Sequence, residues 1–299
     1  MRPGDRFLLP ATPSPIRVLV ALPVFTSASA LWVFSPAFPM QQLGLLQAAT
    51  GHWVQATLVL SLGAGLVQLS LVFGPGRQRP ADLGWRMRTL PGALLPIFVL
   101  WLGMNLSTLL AAQATGTPLA WNSGWQQGGL LPGALIAQLL GTALMEETVF
   151  RGWLWPQLAC RLRARLSTLP AWGLALLVSQ GLFAALHIPA RLAAGAAPAE
   201  VAAMAGSLFL IGLVLALIYA AMRNLFFVVG LHALGNAPTL LAQPQGPPPT
   251  LVMLGLALLI AAAWAWRHAR HRRKGSGVSP AYPAGHPSDA TAGCAPPRP

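Results

Sequence analysis

The stretch Met145–Trp153, MEETVFRGW, places two adjacent carboxylates and a guanidinium inside an otherwise apolar run. The 299-residue chain has only six acidic residues, so two side by side in an apolar setting need a reason. On a helix, residues four apart share a face, and Glu ahead of a basic residue is the favourable order. Glu147 and Arg151 therefore form an expected ion pair. Glu146 is turned about 100° from Glu147 on the same helix. It is the surplus carboxylate, and a carboxylate left without a cation is a candidate general base. Two other apolar segments carry polar residues at the same spacing. LFAALHIPA, residues 182–190, sets Phe183 and His187 on one face, with Pro189 limiting the helix just beyond. VGLHALGNAP, residues 229–238, sets His232 and Asn236 on one face.

Singly, each has a plainer reading: a packed histidine, an asparagine joining two helices, a structural salt bridge. Jointly they offer a carboxylate, two imidazoles, a carboxamide and a guanidinium. A carboxylate with an imidazole can deprotonate water. Donors on a facing helix can hold the oxyanion of a tetrahedral intermediate, where one donor typically contributes about 3–4 kcal/mol. Ahead of the basic C-terminal stretch the chain has three histidines, and two of them, His187 and His232, belong to these segments. His52 lies at a loop edge.

The elements that must position these residues are membrane spans. Hydrophobic residues make up 55% of the chain and charged residues 8%, against about a quarter charged in soluble domains. Mean hydropathy is +0.60. A span needs about 20 mainly apolar residues. Eight are expected, over 16–36, 53–73, 90–112, 130–150, 171–192, 203–222, 225–242 and 250–266. The net charge of +13 is not gathered into a nucleic-acid-binding face. It is spread over alternate loops: Arg2, Arg6 and Arg17; Arg77, Arg79, Arg86 and Arg88; Arg161, Arg163 and Arg165; Arg223; and the C-terminal RHARHRRK. The intervening loops have no Lys or Arg apart from Arg191 at the edge of one. Basic loops mark the cytoplasmic side. The expected fold is an all-α polytopic bundle of about eight transmembrane helices with both termini cytoplasmic. The run VLVALPVFTSASALW also has the form of a signal-peptide core ending in ASA. Read instead as an uncleaved span, it continues through Leu31 to Phe34. A charge at a helix centre costs roughly 2.5–3.5 kcal/mol on insertion scales, so the polar faces must meet one another or a water-filled cleft.

EETVFRG resembles the EExxxR motif of the CPBP family, which comprises the CAAX prenyl proteases and bacteriocin-processing (Abi) proteins. FAALH resembles its FxxxH motif, and HALGN its HxxxN/D motif, in the same order. ADLGWR, at 81–86, resembles a segment this family carries ahead of its core. The HExxH pattern of zincins is absent. The resemblance spans roughly 130–242. It implies an intramembrane endopeptidase acting near the C-terminus of a membrane-anchored peptide or protein, with the bilayer as its surroundings. Carried over residue by residue, Glu146 activates water with His187, His232 and Asn236 hold the oxyanion, and Glu147, Arg151 and Phe183 support the site. The family is labelled metalloprotease. The expectation here is no metal, because no partners for zinc-bound histidines are visible in the sequence. If zinc is bound, Glu146, His187 and His232 are its ligands. Other readings are a catalytically silent member serving as a scaffold or in bacteriocin immunity, and a proton-coupled transporter, though no internal repeat is present. The expected organisation is 1–129 as N-terminal helices, 130–242 as catalytic core, 243–274 as the last span with its basic flank, and 275–299 as a disordered tail. The Ala, Leu, Gly and Arg bias fits a GC-rich bacterial source, which would make the membrane the cytoplasmic (inner) one.

Overall fold

In the computed structural model, which describes residues 12–244 and 246–275, every regular element among the described residues is helical. One isolated antiparallel bridge joins Trp121 to Ala242. The tail beyond Gly275, with the expected disorder, lies outside the described residues, as do Arg2 and Arg6. In chain order the α- and π-helices are α1 (Ile16–Val33), α2 (Met40–Ala49), α3 (Ala56–Phe73), α4 (Pro91–Thr115), α5 (Leu130–Leu140), α6 (Thr142–Glu147), a π-helix (Thr148–Leu154), α7 (Trp155–Leu162), α8 (Thr168–Ala185), α9 (Ile188–Ala193), α10 (Pro198–Met222), α11 (Leu225–Asn236) and α12 (Pro249–Gly275), with short 3-10 turns at Pro80–Leu83, Met87–Thr89 and Ser123–Gln126.

Six helical stretches are long and apolar enough to cross a membrane: α1, α3, α4, Thr168–Ala193, α10 and Pro249–Arg270. Each matches an expected span. The chain is an all-α integral membrane protein. The expected spans 130–150 and 225–242 are built differently. The first is broken at Gly141, whose φ of −121° and ψ of −103° lie outside the regions open to side-chain-bearing residues. A Cβ there would also sit 2.5 Å from the Ala137 carbonyl oxygen. The helix then continues past 150, through the π-helix and α7, to Leu162. The second is only the twelve-residue α11. Pro238 comes directly after Ala237, and the residue before a proline is pushed out of helical conformation.

This division sorts the helices by surroundings. The long helices leave large apolar side chains bare, such as Leu66, Leu95, Leu210 and Leu259, each more than 60% exposed. Lipid tails are as apolar as leucine, so these faces need no protein cover. The central short elements are the reverse. Every residue of the π-helix is buried, as are five of the eight in α7 and eight of the twelve in α11. These three are thus the core, and the long helices the shell that faces lipid, while the short α2 and α9 bury no residue.

The arginine-rich end of the bundle is tied by polar contacts. Ser14, just ahead of α1, is 1% exposed. Its N–H donates to Gln157 Oε1 at 2.8 Å, and its hydroxyl donates to the Gly76 carbonyl at 3.0 Å. Trp153 Nε1–H donates to the Ser14 hydroxyl at 3.0 Å, and Arg161 donates to the Ser14 carbonyl. At the other end, Asn122 N–H donates to the Leu241 carbonyl at 2.9 Å, and Asn122 Nδ2–H to the Leu240 carbonyl at 3.0 Å.

Candidate active site

The π-helix begins immediately after the two glutamates. Single-turn π segments recur at functional sites, and each shifts the register of the helix beyond it. This one is clamped from outside by the ADLGW segment. A Cβ on Gly152 would meet the Leu83 carbonyl oxygen at 2.3 Å, so only glycine allows that approach. Trp85 Nε1–H donates to Thr148 Oγ1 at 2.8 Å, and the Thr148 hydroxyl donates back to the Leu144 carbonyl at 2.6 Å.

Glu147 and Arg151 form the expected ion pair. Arg151 Nη1 lies 3.1 Å from Glu147 Oε1, with both side chains fully buried. The contact is ionic, since Nη1–H is not aligned for a hydrogen bond. Arg151 Nη2–H donates to the Gly212 carbonyl at 3.3 Å, and the guanidinium lies 4.7 Å from the centroid of the Phe183 ring. Phe183 therefore touches Arg151. Its ring also lies edge-on to His187, with centroids 4.8 Å apart.

Glu146 turns away from Arg151 and toward the imidazoles. Its Oε1 lies 3.8 Å from His187 Nε2, and its Oε2 lies 3.7 Å from His232 Nε2. Its side chain is 23% exposed, against 0% for Glu147, so the surplus carboxylate is the one that solvent or substrate can reach. His187 sits in the break between α8 and α9. Pro189 makes that break, because its ring clashes with the carbonyl four residues back and it has no N–H to offer. The spans expected from sequence put Glu146 about 9 Å and His187 about 20–24 Å from their cytoplasmic ends at 1.5 Å per residue, too far apart in depth to meet. The helix carrying Glu146 instead runs on to Leu162. Glu146 is therefore about 24 Å from that end, level with His187.

The other ring nitrogens are occupied. His187 Nδ1 lies 2.7 Å from the Phe183 carbonyl, and His232 Nδ1 lies 2.7 Å from Glu147 Oε1. A carbonyl only accepts, as does an ion-paired carboxylate, so both Nδ1 atoms carry hydrogen. Each Nε2 is then an acceptor in neutral histidine and a donor only when the ring holds a second proton. These Nδ1 acceptors are of the kind that zinc-bound histidines use. The sequence hides them, so the lack of visible partners is no ground for expecting a metal-free site. The donor types suit zinc, yet among the described residues no three His, Cys, Asp or Glu side chains are gathered so as to hold a metal ion.

Asn236 is the residue the structure sets apart. It is exposed, and its Nδ2–H donates to Gln138 Oε1 on α5 at 3.0 Å. Gln138 is not among the residues singled out from sequence, although a glutamine in LLPGALIAQLL is a visible signal. Nor are Gln180 and Ser179. Both are fully buried, with Gln180 Nε2–H donating to Ser179 Oγ at 2.7 Å. A Cβ on Gly212 would lie 2.8 Å from Gln180 Oε1 and 3.3 Å from Arg151 Nη2. Gly212 thus makes room for both. Gln180 stands seven residues ahead of His187, on the same helical face, and that spacing is the one signal of it in the sequence.

A comparison with curated proteins finds no match. Residues 128–238, the stretch that carries Glu146, Glu147, Arg151, His187, His232 and Asn236, match the family model Rce1-like, described as type II CAAX prenyl endopeptidase Rce1-like, a match consistent with the CPBP/CAAX protease family.

Proposed function

We propose that the chain is a CAAX-type intramembrane endopeptidase that hydrolyses a peptide bond near the C-terminus of a membrane-anchored substrate, with Glu146 as the base. The observation that carries this reading is the position of Glu146: a reachable carboxylate between two Nε2 atoms, at 3.7 and 3.8 Å, beside a carboxylate that Arg151 neutralises. Those separations are too long for direct hydrogen bonds and suit a bridging water. The water gives a proton to Glu146 as its oxygen attacks the scissile carbonyl carbon, and the lone pair of His187 Nε2 helps orient it. The carbonyl π electrons move onto oxygen. That oxyanion accepts hydrogen bonds from His232 Nε2–H and from the Asn236 carboxamide. Collapse of the intermediate breaks the C–N bond, and the proton held by Glu146 passes to the leaving amine. Glu147 fixes His232 through Nδ1, while Arg151 and Phe183 hold Glu147 and His187 in place. In this reading residues 130–242 are the catalytic unit, the N-terminal helices shield it, and the arginine-rich end faces the cytoplasm of a bacterium.

The test is hydrolysis of a panel of lipidated and membrane-anchored peptides by the purified protein beside Glu146→Gln. Glutamine keeps the shape but cannot take a proton from water, and loss of a general base costs about 10²–10⁴-fold. Full activity in a folded Gln variant overturns the assignment of the base. A wild-type protein that cleaves nothing in the panel points to a catalytically silent member.

A further inference from the structure

A second polar feature lies at the arginine-rich end of the bundle, away from Glu146. A cavity of about 820 Å³ opens where the start of α4, the junction of α10 with α11 and the end of α12 meet. Arg88, Arg223 and His268 line it, together with Gly92, Asn224 and Trp264, and no acidic residue does so among the described residues. His232 stands seven residues into α11, about 10 Å along the helix from this end.

The backbone contributes both signs. Asn224 caps α11, its Oδ1 accepting from Phe227 N–H at 3.4 Å, and its Nδ2–H donates to the Thr89 carbonyl at 2.8 Å. That bond ties the start of α4 to the start of α11, so two helix N-termini with partial positive charge meet the C-terminal end of α10 with partial negative charge, and the basic side chains set the sign of the cavity. His268 is held in place: Nδ1–H donates to the Trp264 carbonyl at 2.9 Å, and the ring stacks on the indole with centroids 4.7 Å apart. Trp264 is 39% exposed, as tryptophan is in the interfacial belt of membrane proteins.

Next to this cationic cup the walls become hydrocarbon. Gly92, Leu95 and Val99 share a face of α4, and Leu95 is 70% and Val99 41% exposed. On α12, Leu258 lies two turns from Ala265 on the same face and is 46% exposed. A small soluble anion would match the positive charge, but it would fill only a small part of the cavity. An amphiphile with an anionic head matches both. Basic pockets between transmembrane helices on the cytoplasmic side are a recognised way to hold such headgroups.

We infer that this cavity binds the phosphate headgroup of an anionic membrane phospholipid of the cytoplasmic leaflet, with its acyl chains along the exposed faces of α4 and α12. The inference does not rest on the peptidase reading.

The experiment uses the full-length protein in a neutral detergent. Native mass spectrometry and thermal melting monitor titration with phosphatidylglycerol, phosphatidylcholine or inorganic phosphate. Phosphatidylglycerol is expected to remain as a discrete one-lipid adduct and to raise the melting temperature, while the other two do neither. Arg88→Gln should weaken phosphatidylglycerol binding about fivefold, and Arg88→Gln/His268→Gln further, with the lipid-free melting temperature unchanged because both side chains are exposed. If a variant melts lower without lipid, Arg88→Lys replaces it and should bind close to wild type. Equal affinity in wild type and the double variant overturns the site. Equal binding of phosphatidylcholine overturns the charge argument. Equal protection by inorganic phosphate overturns the lipid assignment in favour of a soluble anion.

Discussion

The Glu147–Arg151 pair can be tested by a double-mutant cycle whose size is set by its surroundings. Glu147 Oε1 serves two partners, Arg151 at 3.1 Å and His232 Nδ1 at 2.7 Å. Arg151 has, besides Glu147, the Gly212 carbonyl at 3.3 Å and the face of Phe183 at 4.7 Å. Both side chains are fully buried. Arg151→Ala therefore leaves a carboxylate with only an imidazole for company, and Glu147→Ala leaves a guanidinium with a carbonyl and a ring. Losing one partner of a buried pair costs about 3–5 kcal/mol. If the two losses were independent, the double variant would lose about 6–10 kcal/mol, twice the single-variant range. It is expected to lose about 1–3 kcal/mol less than the sum, the range seen for contacting residues. Unfolding free energies in mixed micelles measure the cycle. Additive losses would mean that the two groups do not interact and would remove the basis for treating Glu147 as neutralised.

A companion variant separates stability from chemistry. Glu147→Leu/Arg151→Met fills the volume without charge, and replacing a buried pair by apolar groups is often neutral or stabilising. Its melting temperature should stay near wild type. Its activity should still fall, because His232 Nδ1 loses the acceptor that sets the ring. An apolar pair with wild-type turnover would confine Glu147 and Arg151 to a structural role. Asn236→Ala should lower kcat about 10²–10³-fold with KM little changed if its carboxamide holds the oxyanion. Gln138→Ala should lower kcat less, since it acts only by orienting Asn236, and steady-state kinetics showing neither effect would make the pair a helix–helix tie. Because in the proposed mechanism Glu146 takes the proton and His232 with Asn236 holds the oxyanion, activity should survive exhaustive treatment with a membrane-permeant zinc chelator, with zinc well below one per chain. Stoichiometric zinc, with chelator-sensitive activity restored by the metal, would instead make Glu146, His187 and His232 ligands.

What the sequence made legible was local. The spacing of four that put Glu147 with Arg151, and Phe183 with His187, on one face acts within one helical turn; the ion pair lies at 3.1 Å and the two rings are edge-on with centroids 4.8 Å apart. The six long spans were legible because apolar length is additive along the chain. What escaped depends on neighbours or on a single backbone angle. Gly141 scarcely lowers local hydropathy, yet it ends α5. The stretch after Asn236 is as apolar as α11 itself, but Pro238 stops the helix. His232 and Asn236 share a face, and still Asn236 pairs with Gln138 on another helix, a choice that spacing cannot express. The π-helix has no pattern of residue types to announce it.

The breaks themselves have a common logic. A helix interrupted in lipid would leave backbone N–H and C=O groups unpaired, at several kcal/mol each. Here the interruptions at Gly141, at the π-helix and after Asn236 belong to the short elements, inside the shell of long helices, while the one at His187 lies within the long stretch Thr168–Ala193. The site residues gather at these irregular points: Glu146 just ahead of the π-helix, His187 in the α8–α9 break and Asn236 at the end of α11. An intact transmembrane helix has already paired its backbone internally and presents only side chains. A peptide substrate must be bound extended, with its own N–H and C=O groups needing partners out of reach of bulk water. A core of broken helices within a lipid-facing shell can offer such partners where a bundle of eight unbroken spans could not. The two expected spans that the structure replaces with short helices are the ones that carry Glu146 and His232, the arrangement that the proposed peptidase would need.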